Sequence, residues 1–139
     1  MILLSLLALI LLLAACGGSS SPSPNTGVTT VQVKETEFAI TSSLTSFSTG
    51  TPYHFVVTNM GKTTHEFMIM PRPMGAMSGT SMDDMDHMAL ASISNVNPGE
   101  TKTLDYTFPS STAGSHPEFA CYLPGHYEAG MKRDVTVTS

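Results

Sequence analysis

Tryptophan is absent from this 139-residue chain, cysteine occurs twice, and charged residues make up only 12% of it. Two cysteines cannot build the disulfide framework of a small stapled domain. Basic residues are equally scarce: 6 Lys and Arg stand against 11 Asp and Glu, for a net charge of −5, and only Lys132-Arg133 are adjacent. Binding to phosphates needs clustered cations, so nucleic acid is excluded as a partner. Low charge combined with 41% hydrophobic residues also argues against a disordered chain or an interaction tail. Long apolar runs are lacking as well, with one exception at the N-terminus.

That exception is residues 1–15, apolar throughout except Ser5 and closing on Ala14-Ala15 before Cys16-Gly17-Gly18. Crossing a hydrocarbon core takes roughly 20 residues, so the run reads as an export signal rather than a permanent span. Its first residues include no Lys or Arg. Leu13-Ala14-Ala15-Cys16 is similar to a bacterial lipobox, which implies that residues 1–15 are a lipoprotein signal peptide and that Cys16 becomes the lipid anchor. Residues 16–27 are low-complexity Gly, Ser and Pro and cannot bury a core. They read as a flexible tether with a root-mean-square span of roughly 17 Å. The folded domain is then expected over 28–139, enough for one small sandwich and no more.

Within it the hydrophobic period is two. Val31/Val33, Phe38/Ile40, Phe55/Val57, Phe67/Ile69, Leu104/Tyr106/Phe108, Phe119/Cys121 and Val135/Val137 alternate with polar or small residues. Turn chemistry punctuates them at Asn59-Met60-Gly61-Lys62 and Asn97-Pro98-Gly99. The pattern predicts an all-β, antiparallel Greek-key β-sandwich. One long Met-rich insertion, 71–88, interrupts it. Pro71, Pro73, Gly75 and Gly79 forbid regular structure in its first half, whereas Ser81 and Asp84 form a capping pair for a short helix in its second.

The domain's remaining thiol, Cys121, is followed five residues later by His126 and five after that by Met131, around the turn Leu123-Pro124-Gly125. A thiolate, an imidazole and a thioether can thus fold around one point, and only soft donors are offered. A trigonal His2Cys set with a weak axial Met is diagnostic for blue copper, whereas zinc takes closed sets of four and calcium wants oxygens. The second imidazole is best supplied by His65, which opens the strand His65-Glu66-Phe67-Met68-Ile69 just after a turn. His54 and His116 are assigned structural or solvent roles.

Asn59-Met60-Gly61-Lys62-Thr63-Thr64-His65 followed by Cys121-x4-His126-x4-Met131 resembles the cupredoxins, the blue copper electron-transfer proteins, over about residues 31–137. The loop length is similar to that of the rusticyanin and sulfocyanin branch. The resemblance implies one type 1 copper held by His65, Cys121 and His126 with Met131 axial. It also implies an electron-transfer patch of Leu123, Pro124, Gly125 and Ala129 around the edge of His126. Two positions depart from the family pattern: Glu66 stands where many members carry Asn or Ser after the first His, and Lys132-Arg133-Asp134 lacks the small residue often found after the Met.

These readings lead to a membrane-anchored, extracytoplasmic carrier of single electrons between redox protein partners. It is expected to be a monomer, lipid-anchored to the outer face of the cytoplasmic membrane, in the periplasm or at the cell surface. It is not expected to be an enzyme, because no nucleophile–base pair or open coordination position is evident. The alternative is Cu(I) buffering, delivery or resistance. Met74, Met77, Met82, Met85 and Met88, with His87, offer thioethers that select Cu(I) and could form a second site. The same methionines could equally pack as an apolar stripe on the sandwich.

Overall fold

The computed structural model describes residues 27–75 and 80–139. The expected signal peptide, the lipid-anchor Cys16 and Met77 lie outside the described residues. Among the described residues, ten strands and one α-helix follow in the order β1 (Thr29–Thr36), β2 (Ala39–Ser42), β3 (Ser46–Ser48), β4 (Pro52–Asn59), β5 (His65–Met70), α1 (Met82–Met88), β6 (Ala91–Val96), β7 (Thr101–Thr107), β8 (Glu118–Ala120), β9 (Lys132–Asp134) and β10 (Thr136–Thr138). A short 3-10 turn at Ser110–Thr112 lies between β7 and β8.

The strands form one sheet in the order β2-β1-β4-β7, a second in the order β6-β5-β8-β9, and a small pair β10-β3. The β-sandwich expected from the alternation is present, but it is mixed rather than wholly antiparallel. Strand β1 runs parallel to β4, with Val31 opposite Phe55, and β10 runs parallel to β3. Alternation reports which face of a strand is buried and is blind to the direction of its neighbour.

Alternate residues of the paired strands meet in one core. Phe47 lies with its ring centroid 5.0 Å from Tyr53, 5.2 Å from Phe108 and 5.7 Å from Phe119, and Phe67 lies 5.0 Å from Phe119. Such edge-on and tilted rings add directional attraction to the area they bury.

One expected alternation fails and another holds with shallower burial. Phe38 is not a strand residue: it occupies the β1–β2 turn at φ 63° and is 48% exposed. On β7, Leu104 and Tyr106 are only half-buried, because β7 is an edge strand and just one neighbour covers it. Strand β5 departs in the opposite sense, being buried at all six positions. Its inner face, His65, Phe67 and Ile69, meets the sandwich core. Its outer face is closed by α1, whose Met85 packs with Met68, Met70, Ala120, Tyr122 and Tyr127. The helix begins where the capping pair predicts, with the Asp84 N–H donating to Ser81 Oγ (3.2 Å) and the Ser81 hydroxyl donating to Asp84 Oδ2 (2.7 Å).

Candidate metal centre

The site lies at the end of the sandwich where β5 begins and β8 ends. Asn59, the buried last residue of β4, organises the approach to β5. Its side-chain amide donates to the carbonyls of Thr63 (2.7 Å) and Val96 (2.8 Å), while its Oδ1 accepts the Gly61 N–H (2.8 Å). The turn expected at Asn59–Lys62 is therefore knit from within by one side chain. The ladder between β5 and β6 then shifts register between His65 and Phe67, a bulge of the kind that re-aims a side chain at a sheet edge.

Cys121 directly follows β8, and the chain leaves and returns within ten residues. The His126 N–H donates to the Leu123 carbonyl (2.9 Å), the Met131 N–H to the His126 carbonyl (3.0 Å), and the Cys121 N–H to the Met131 carbonyl (3.1 Å). Gly125, at φ 81°, takes the left-handed conformation this tight return requires. The loop thereby ties the three sequence-predicted donors to one another through their own backbone.

The side chains converge accordingly. His65 Nδ1 is 3.2 Å from His126 Nδ1, and Cys121 Sγ is 3.4 Å from His126 Nδ1. All three donor atoms lie within 4.8 Å of one another. Nitrogens about 2 Å from a shared ion stand roughly 3.3–3.6 Å apart, so this spacing is within a few tenths of an ångström of what a metal would set. Met131 is fully buried in the same core cluster as Cys121. His65, Cys121 and His126 thus converge at one place, the first two buried and His126 half-buried, with Met131 buried in the core cluster that holds Cys121.

The electrostatics suit a cation. Burial and the neighbouring His126 hold the His65 imidazole below its ordinary pKa, with Glu37 opposing, so the ring is a neutral donor. Burial pushes the Cys121 thiol up to about 12, with Glu66 and Glu35 adding to the rise. An isolated thiolate is therefore strongly disfavoured there, and a bound cation is what would stabilise it. Glu66, at the position of departure from the family pattern, turns its Oε1 to accept the Tyr122 N–H at 2.8 Å, fastening the residue after His65 to the residue after Cys121. Burial lifts the Glu66 carboxyl to about 7.

Around the half-buried His126 edge, Pro124, Gly125 and Ala129 are exposed and Leu123 is half-buried. Sequence reasoning missed Phe38, whose ring meets the His126 ring edge-on at 5.9 Å. It also missed the carboxyls of Glu35 and Glu37. Glu35 is fully buried with both oxygens unpartnered, and burial raises it to about 8. Glu35 extends the period of two that runs through Val31 and Val33, whereas no periodic signal marks Glu37. The residues considered for a second site separate. Met74, Met82, Met85 and Met88 join Met68 and Met70 in the cluster under α1, whereas His87 is exposed on the helix. His54 pairs with Asp105 across the β4–β7 ladder (2.6 Å), and His116 is exposed.

No family model matches the chain. Among curated relatives it is 30% identical over 119 residues to a copper-resistant cuproprotein, CopI, of Pseudomonas aeruginosa, covering 63% of this chain and 64% of that one. It is 34% identical over 92 residues to the CopI of Vibrio cholerae, covering 58% and 47%. The chain thus spans between about half and two thirds of the length of these relatives. Among solved structures, auracyanin of Roseiflexus castenholzii superposes with a TM-score of 0.62 at 22% identity, over 81% of this chain and all of that one. Auracyanin A of Chloroflexus aurantiacus, a blue copper protein, gives 0.63 at 19%, over 81% and 100%. The fold is that of the cupredoxins.

Proposed function

We propose that this chain is an extracytoplasmic type 1 copper protein that carries single electrons between redox protein partners, held at a membrane surface through a lipid on Cys16. The observation that carries this reading is the convergence of one donor atom each from His65, His126 and Cys121 within 4.8 Å, with Met131 buried in the core cluster that holds Cys121. Copper so held would supply a one-electron Cu(II)/Cu(I) couple. The chain's own contribution is a donor set fixed before the metal arrives. The 121–131 loop is closed by backbone hydrogen bonds, and Glu66 fastens it to the His65 strand, so little rearrangement accompanies a change of charge.

His126 is the way in and out. Phe38 and Met60, 48% and 60% exposed, are large apolar residues at this end of the sandwich, and Phe38 abuts His126. With Leu123, Pro124 and Ala129 they give a partner an apolar contact surface. The net charge of −5 favours encounter with a basic or apolar face. Protein-film voltammetry of the copper-loaded chain tests the reading. Reversible cycling with the metal retained in both states supports it, and release of copper on reduction refutes it.

A second reading, Cu(I) handling in copper resistance, is favoured by the relatives' names and by six methionines gathered in one cluster. Deleting residues 74–88 separates the two. Loss of copper tolerance with the voltammetry unchanged would favour copper handling.

A further inference from the structure

His65 presents its two ring nitrogens to different surroundings. Nδ1 faces His126 and the donor cluster, whereas Nε2 is buried with no hydrogen-bond partner. Both ring nitrogens are strong hydrogen-bonding groups, and a ligating histidine donates its outer N–H to an acceptor in nearly every well-built metal site. The outer nitrogen of His65 therefore calls for an acceptor that has been brought close.

Glu37 is that acceptor. It belongs to the β1–β2 turn, and its carboxylate reaches over the β4–β5 loop to accept the Lys62 N–H. The Thr63 backbone also contributes to holding this carboxyl below the usual range. A side chain at position 61 would lie 2.8 Å from Glu37 Oε1 and 3.0 Å from His65 Nε2. Both atoms thus border the single methyl-sized space that Gly61 leaves open. Gly61 does not have a positive φ, so glycine is not needed there for backbone conformation. What it provides is clearance between a carboxylate and a ring nitrogen. The same turn places Phe38 edge-on against His126, so adjacent residues of one turn address both histidines.

We propose that Glu37 is a positioning residue for His65, its carboxylate accepting the Nε2–H of the ring across the Gly61 gap, directly or through one water. The pairing fixes the tautomer that leaves Nδ1 free as a donor, and sets a negative charge behind the ligand. Its effect on a bound metal rests on the copper reading above. A carboxylate accepts from about four directions, so the bond from Lys62 leaves room for another.

Ring-nitrogen NMR on the metal-free full chain, with voltammetry of the copper-loaded form, tests this. Wild type and Glu37→Gln, whose side-chain carbonyl still accepts, should show His65 protonated at Nε2 with slow exchange; Glu37→Ala should lose that protection. Both variants should raise the reduction potential, because removing the negative charge favours Cu(I). A His65 proton on Nδ1 in the metal-free wild type would overturn the proposal. So would unchanged protection and potential in Glu37→Ala or, if that variant does not fold, an unchanged potential in Glu37→Gln. A chain with no thiolate-to-copper absorption but with Glu37-dependent Nε2 protection would retain the pair and discard the copper reading.

Discussion

The two faces of β5 are both buried but are built from different materials. On the inner face Phe67 and Ile69 pack with Phe47, Phe55 and Phe119, rings locked at fixed angles, and His65 continues that face into the donor cluster. On the outer face Met68 and Met70 meet Met85 beside the stacked Tyr122 and Tyr127, whose centroids are 4.5 Å apart. Thioether chains adapt to irregular gaps, whereas packed rings resist displacement. The donors are therefore held against the stiffer side, and the Met-rich insertion covers the compliant one.

The largest expected difference between the faces is mechanical. Phe119→Ala should cost about 3–5 kcal/mol in urea unfolding, because its ring touches three others, whereas Met85→Leu should cost under about 1.5 kcal/mol. Equal costs would erase the contrast.

The buried carboxyls sharpen the comparison. Glu35 shares the inward face of β1 with Val31 and Val33 and has no partner, whereas Glu66 on the outer face of β5 has the Tyr122 N–H. Both are raised chiefly by burial, from 4.5 to about 8 and about 7. The folded state then binds more protons than the unfolded one across that range. Their contribution to stability is full below about pH 4.5 and is lost as pH rises through about 7 and 8. Metal-free protein should lose on the order of a few kcal/mol over that window, and Glu35→Gln should remove the larger part of the slope in unfolding experiments at stepped pH.

Smaller effects follow on the outer side. Glu66→Ala strands the buried Tyr122 N–H at a cost of about 1–3 kcal/mol, and Glu66→Gln, which can still accept, should recover most of it in the same unfolding assay. Ser81→Ala removes the α1 cap and should cost about 1 kcal/mol without moving the visible spectrum of the copper-loaded protein. A spectral change there would mean that the Met-faced side is mechanically coupled to the donors.

The grouping of His65, Cys121 and His126 was legible in sequence because Cys121 and His126 lie on one short loop, where spacing alone limits geometry, and His65 follows a recognisable turn. The helix cap was legible for the same local reason. The parallel pairing of β1 with β4 was not, since burial alternates identically in either direction. Phe38 deceived the alternation rule because Phe38 and Ile40 look like one strand, while the turn between β1 and β2 places Phe38 in the left-handed region. Glu35 and Glu37 are acidic residues near the end of β1 that carry no motif in the sequence. Only the fold shows that one is buried without a partner and the other reaches across the β4–β5 loop to Lys62.

The most direct test of the metal centre is a Cu(II) titration followed by visible absorption and paramagnetic resonance, with Cys121→Ser in parallel. A type 1 centre built on Cys121 should give a strong thiolate-to-copper band at one equivalent that vanishes in the variant and bleaches reversibly with ascorbate. Copper binding that produces no such band, or that survives Cys121→Ser unchanged, would contradict it.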